Sequence, residues 1–222
     1  MATTVHEPPK VESPHTSDDN GGRHDAPPVT GDLLAVDDSS PASRTGVWVG
    51  LAAITMSFVA FTSAMIVRQG SSNDWQHFTL PTVLYGDTLV LLASSLVLEV
   101  ARKRIAAYVH GSLGSRWAGL RWLGLTLVLG LIFVAGQYSA WQQLRAQGLY
   151  LATNPSSSFF YLFTAAHALH VLGGLAGLVL VLWRFSRPIP RLRLSTLSTV
   201  SYYWHFMDGL WIYLLLLLWM RI

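Results

Sequence analysis

Residues 157–183 read Ser-Ser-Phe-Phe-Tyr-Leu-Phe-Thr-Ala-Ala-His-Ala-Leu-His-Val-Leu-Gly-Gly-Leu-Ala-Gly-Leu-Val-Leu-Val-Leu-Trp, with no Asp, Glu, Lys or Arg anywhere in the stretch. A helix needs about 20 mostly apolar residues to cross roughly 30 Å of hydrocarbon, and this segment is long enough. Strands of a membrane barrel are about 10 residues long and alternate in polarity; the run from Leu178 to Trp183 does not alternate. Four further segments of the same kind occupy residues 46–67, 78–101, 119–144 and 197–219. The sequence therefore predicts an all-α integral membrane protein, five transmembrane helices in a bundle, with connections too short for an extramembrane domain.

Composition agrees. Of the 222 residues, 51% are hydrophobic and 12% charged, with a mean hydropathy of +0.39, against about 25% charge in soluble domains. Cysteine is absent, which excludes disulfides, thiolate metal sites and cysteine nucleophiles. The formal charge of +3 joins two unlike parts: residues 1–45 hold eight acids against three bases, and the remainder twelve bases against four acids. Nucleic-acid binding is not expected from that distribution. Up to Arg44 there is no Phe, Trp or Tyr, and six of the ten prolines are there. Such a stretch cannot bury enough apolar surface to offset its ordering entropy, so residues 1–45 read as a disordered acidic tail and 46–222 as the membrane domain. The tail resembles neither a secretory signal nor a transit peptide.

Bases set the orientation. Arg102, Lys103, Arg104 and Arg116 flank the second connection and Arg184, Arg187, Arg191 and Arg193 the fourth, whereas the first offers Arg68 beside Asp74 and the third only Arg145. The positive-inside bias places connections two and four, and hence the N-terminus, in the cytoplasm, with the C-terminus outside. Trp48, Trp75, Trp117, Trp122, Trp183 and Trp219 lie near segment ends, where an interfacial belt is expected.

Counted from the segment starts, Asp87, His167, His170, His205 and Asp208 all fall near the bilayer midplane. An ionisable group there costs on the order of 3 kcal/mol and ordinarily faces a partner or a wet cavity. His167/His170 and His205/Asp208 are i, i+3 pairs, each sharing a helix face, which allows a cluster across helices 4 and 5. Three readings stand open for it: a metal or haem site, a proton relay, and an interhelical hydrogen-bond network. Glu99, three residues before Arg102 and four before Lys103, reads as an interfacial ion pair. Gly173 and Gly177 form a small-xxx-small pair suited to close helix packing, within the chain or against another subunit.

Two stretches go further. Phe159-Phe160-Tyr161-Leu162-Phe163-Thr164 through His167, His170, Val171 and Gly174 is followed about 30 residues later by Tyr202-Tyr203-Trp204-His205-Phe206-Met207-Asp208 and Trp211. In this order they resemble the last two helices of subunit III of the haem-copper oxygen reductases, which carry F-F-x-x-T-G-x-H-G-x-H-V-x-x-G and Y-W-H-F-V-D-x-x-W. Asp87-Thr88 with Leu91, Leu92, Ser94 and Ser95 is similar to the family's Asn-Thr or Glu-Thr helix. Members have seven spans or five, and this chain resembles the short form.

The resemblance implies an accessory subunit of a bacterial inner-membrane terminal oxidase, with cytochrome c or quinol as electron donor. It implies no cofactor in this chain, haem and copper in partner subunit I, electron entry through subunit II, bound phospholipid, and a larger respiratory supercomplex as a further assembly. It assigns family-motif positions to Thr88, His167, His170, Gly173, Tyr203, Trp204, His205, Asp208 and Trp211, and a variable polar position to Asp87. The family's intramembrane Ser-Glu pair of the first shared helix is replaced here around Ala53 to Phe58, its Glu-Tyr of helix 3 by Ala140-Trp141, and the acid ahead of Y-W-H-F by a residue near Ser198. These departures shift the expectation from proton antenna toward packing and lipid holding. A subunit III-like protein of a nitric oxide reductase is the near alternative. From another class comes a small transporter or channel built on the His/Asp cluster, which would call for a broken helix or inverted repeat.

Overall fold

The computed structural model describes residues 41–71, 73–109, 115–187 and 194–222, the side chains of 41–44 and 194 excepted. The disordered tail expected for residues 1–45 falls mostly outside them. Five helices follow in order: α1 Pro41–Ser71, α2 Val83–Val109, α3 Arg116–Ala146, α4 Pro155–Ser186 and α5 Leu194–Arg221. Four of them, α1 to α4, are long and apolar enough to cross a membrane. α5, with 28 residues, is longer than α2 with 27, but Tyr202, Tyr203, His205 and Asp208 lower its hydropathy.

The helices extend beyond the apolar segments at most ends. α1 begins at Pro41; proline at the first helical position loses no hydrogen bond. α2 begins at Val83 rather than Phe78, because Pro81 supplies no N–H and disfavours helix at Leu80. Asp87 consequently sits in the second turn of α2 and not at mid-span. At its other end α2 runs on to Val109, since Ala101, Ile105 and Val109 keep one buried stripe going past the basic residues 102–104.

α2, α3, α4 and α5 form a closed antiparallel ring in which each helix touches its two neighbours, and the α2–α3 seam is the most extensive. α1 stands outside the ring and packs only on α4 and α5. Its buried side chains Leu51, Phe58 and Met65 recur every seven residues and make one narrow stripe. Met56, Val59 and Val67 on the rest of α1 are exposed, as a lipid-facing surface requires. Thr62 and Tyr213 hydroxyls meet at 2.9 Å across α1 and α5.

The two ends of the ring are tied by different chemistry. At one end Arg116 donates to the Phe185 carbonyl at 2.8 Å and also to the Arg187 carbonyl, closing α3 on α4. Glu99 and Arg102 pair through two bonds of 2.8 and 2.9 Å at that end of α2. At the other end α3 stops at Gly148, whose φ of +78° is a left-handed conformation open to glycine and whose N–H reaches the Arg145 carbonyl. Pro155 then opens α4, and Ser156 donates to the Gln76 carbonyl at 2.7 Å. The α1–α2 connection folds over the end of α5: Trp75 Nε1 donates to the Arg221 carbonyl at 2.9 Å and Phe78 N to the Ile222 carbonyl at 3.1 Å. Replacing Trp75 by Phe keeps the ring and removes that donor, worth about 1 kcal/mol. Faster amide exchange at Phe78 with an unchanged helix core is the expected result by hydrogen-exchange mass spectrometry.

In the same connection Arg68 grips Asp74 through bonds of 3.0 and 2.6 Å. That hydrogen-bonded guanidinium holds the Asp74 carboxyl below the ordinary carboxylate range. The pair is intact above that range and is lost as the pH falls through the lowered value; being exposed, it adds little to stability.

Of the tryptophans expected in an interfacial belt, Trp48, Trp117, Trp183 and Trp219 are exposed near helix ends, while Trp75 and Trp122 are half-buried. The three not counted in the belt have inward partners: Trp141 donates to Thr164 at 3.0 Å, and Trp204 and Trp211 are fully buried.

Candidate functional site

The α2–α5 seam joins the short polar series on α2 to the Tyr-Trp-His series on α5, residue for residue. The Trp204 indole N–H donates to Ser94 Oγ at 3.0 Å, and the Trp211 indole N–H to Thr88 Oγ1 at 2.9 Å. Each hydroxyl keeps its own hydrogen for a carbonyl of α2, Leu91 at 2.6 Å and Leu84 at 2.8 Å. A serine or threonine in a membrane helix can bond back in this way and still accept from a neighbour. Between the two indoles, Ser95 Oγ donates to Asp208 Oδ2 and meets His205 Nδ1 at 2.9 Å. Ser95 and Asp208 are buried, whereas His205 is exposed on the outer side of the seam.

Asp87 belongs to a different seam. Gln137 Nε2 of α3 donates to its Oδ2 at 3.2 Å. The room for that carboxylate comes from Gly136: a methyl group on its α-carbon would coincide with the Asp87 carboxyl group. The partnership of Gln137 with Asp87 is not readable in the sequence, because the contact spans 50 residues.

The structure divides the cluster expected across helices 4 and 5. His167 is fully buried between the rings of Trp211 and Phe133, with centroids at 5.1 and 5.9 Å. His170 turns the other way, its Nδ1 2.7 Å from the Ala166 carbonyl of its own helix and its ring against Phe58 of α1. Tyr203 donates to the His170 carbonyl at 2.8 Å, so the tie between these motifs runs through backbone. The i, i+3 spacing puts two histidines on neighbouring rows of α4, and the ring of helices takes one row inward while α1 covers the other. Among the described residues no three His, Asp or Glu side chains come together in a group able to hold a metal ion.

Helix packing also differs from the expected glycine pair. Gly173 is exposed, and Gly173 and Gly177 leave ordinary contact distance, 3.6 Å to Tyr203 and 3.5 Å to Val200. Besides Gly136, close approaches are at Gly119, Gly130 and Gly174. An added methyl at Gly130 would lie 2.9 Å from the Trp204 ring, and one at Gly174 3.2 Å from it. At both of these last positions side chains of other helices, Trp204 together with Leu175 at Gly130 and with Tyr203 at Gly174, fill the space a methyl would need.

What the arrangement can do chemically follows from these bonds. Most of the hydroxyl, indole, carboxyl and amide groups of these seams bond one another across helices and so fix register. Asp208→Asn keeps an acceptor for Ser95 and removes charge assistance. Its expected cost is about 1 kcal/mol, read as a lower midpoint of unfolding in mixed micelles.

Comparison with known proteins agrees with the motif positions. The profile of the family "Cytochrome c oxidase subunit III" matches residues 49–221, which include all the bonded residues above. A cytochrome c oxidase subunit 3 of Synechocystis is 30% identical over 184 residues, covering 79% of this chain and 74% of the relative. That of Thermostichus vulcanus is 29% identical over 199 residues, covering 85% and 93%. The probable cytochrome c oxidase subunit 3 of Mycobacterium tuberculosis is 38% identical over 128 residues; the match spans 56% of this chain and 59% of that relative's length. On the extent of the profile match and the coverage of these relatives, this chain belongs to the cytochrome c oxidase subunit III family.

Proposed function

We propose that this chain is the accessory subunit III of a bacterial terminal oxidase that reduces oxygen to water with proton translocation. In this reading it supports subunit I by helix packing and by holding phospholipid, and carries no redox centre. Haem and copper belong to subunit I and electron entry to subunit II, with cytochrome c or a quinol as donor, and the assembly extends to a respiratory supercomplex. All five helices cross the inner membrane, α5 included, with the N-terminus and residues 1–45 in the cytoplasm and the C-terminus outside. The basic end of the ring, with Arg102, Arg116 and Arg184, faces the cytoplasm on this reading, in accord with the positive-inside bias.

The observation that carries the proposal is the α2–α5 seam. Trp204, Asp208 and Trp211, the residues through which the chain resembles the family, are those that close the ring onto Ser94, Ser95 and Thr88. A ring whose helices are tied by interhelical hydrogen bonds suits a subunit that stabilises a neighbour rather than one that turns over substrate. Its apolar outer surface, with Leu89, Leu96 and Leu169 exposed, suits lipid and a neighbouring membrane subunit.

The test is affinity purification of the tagged chain in mild detergent from aerobically grown cells. Recovery with partners that show a binuclear haem-copper spectrum is expected, and Asp208→Asn should weaken that recovery while leaving the spectrum of the recovered partner unchanged. A partner holding haem and non-haem iron would replace this reading by the nitric oxide reductase one. Recovery of the chain alone, active in substrate-dependent transport in liposomes, would overturn both.

A further inference from the structure

Among the described residues, four buried side-chain atoms have no hydrogen-bond partner: Gln137 Oε1, both ring nitrogens of His167, and Asp208 Oδ1. They come from α3, α4 and α5, and the first three share one layer of the ring. Phe133, one turn from Gln137 on α3, packs against His167, and Trp211 packs against both rings. Trp211 also bonds Thr88, whose neighbour Asp87 is held by Gln137. His167 and Gln137 are 0% and 1% exposed. Leaving such groups unpaired costs about 1–3 kcal/mol each, and native interiors rarely do so.

The chemistry of the orphans selects what would satisfy them. Gln137 is held by its bond to Asp87: turning the amide over would set two acceptor oxygens against each other. Its free Oε1 therefore needs a donor. A ring N–H needs an acceptor and a bare ring nitrogen a donor. An anion has no donor for Oε1, and among the described residues no three His, Asp or Glu side chains are grouped to hold a metal ion. A water molecule supplies both and is small enough for a packed interior, where such molecules ordinarily make about three hydrogen bonds.

We propose that the layer formed by Asp87, Gln137, His167 and Trp211 is a binding site for internal water, which joins a ring nitrogen of His167 to Gln137 Oε1. The water continues the Asp87–Gln137 bond across to α4. Three helices of the ring are then tied by one polar layer in addition to the α2–α5 seam. His167 thereby gains a hydrogen bond that no side chain or backbone group among the described residues gives it.

The decisive measurement is a high-resolution density map of the unmodified chain in its native membrane complex. A water peak about 3 Å from a His167 ring nitrogen and from Gln137 Oε1 is expected. Ring nitrogens that meet only carbon, or a direct bond from His167 to Gln137 or Asp208, would overturn the proposal. A thermodynamic cycle adds a second measurement on the same complex. With His167→Phe, Gln137→Leu and the double variant, shared water makes the second substitution change the unfolding equilibrium about tenfold less than it does alone. Additive effects would count against the site, and if the His167→Phe variant fails to assemble the density map decides.

Discussion

Replacing Trp204 by alanine is expected to destabilise the bundle by about 3–5 kcal/mol, the range for deleting a large buried ring. Between helices in lipid the hydrophobic effect offers little, because acyl chains solvate an apolar surface as well as another helix does; packing contacts and interhelical hydrogen bonds carry the association. Trp204 concentrates both. It is 1% exposed, its indole N–H bonds Ser94 of α2, and its ring lies against Gly130 of α3 and Gly174 of α4. One side chain of α5 thus reaches the other three helices of the ring. Trp204→Phe separates the parts: most of the packing stays, the donor goes, and the cost falls to about 1 kcal/mol. Trp219→Ala, at a residue 66% exposed, should change the unfolding midpoint little. Unfolding of the purified chain in mixed micelles, followed by helical circular dichroism, reads all three; equal losses for Trp204→Ala and Trp219→Ala would refute the assignment.

Gly136→Ala should cost about 3 kcal/mol, at the upper end of overpacking penalties. The added methyl would occupy the position of the Asp87 carboxyl group, so either the carboxylate leaves Gln137 or α2 and α3 move apart along their most extensive seam. Both outcomes strand a buried polar group. Asp87→Ala on the same chain removes the obstruction, and the double variant should recover part of the loss. Gly124→Ala provides the control within α3: nothing lies within 4 Å of the added methyl, and alanine is the better helix former by about 1 kcal/mol. A double variant no more stable than Gly136→Ala alone would show that the crowding lies elsewhere.

These two residues mark the limits of what could be read in advance. Helix number and order were legible because the periodicity of an apolar run and the need to satisfy backbone groups in lipid leave few choices. The place of Asp87 in the second turn of its helix is not legible locally, because hydropathy continues through Phe78 and Leu80 while Pro81 delays the start of α2 to Val83. Trp204 and Asp208 were legible through the spacing of a motif, and Ser94 and Ser95 through its counterpart on α2. Their pairing is a matter of register between helices more than 100 residues apart, which no local pattern encodes. His167 and His170 look equivalent in the sequence and differ in the fold, since a three-residue step leaves two side chains about 60° apart around the helix axis, enough here for one to face the ring interior and the other α1. Gly136 gave no local signal, because the requirement that keeps it small sits on another helix.

The position of α1 outside the ring sets a schedule for biogenesis. α1 precedes the other four helices, yet among the described residues the helices it packs against are α4 and α5. At about 5–20 residues per second of synthesis, the end of α4 follows that of α1 by on the order of 10 s. During that interval α2 and α3 can already zip together along their long seam, while α1 waits as a solitary helix, competent in lipid by its length and hydropathy but without a place. Its docking is therefore a late event that reports completion of the ring, and truncation of the nascent chain before α5 should leave α1 accessible to cross-linking with the insertion machinery.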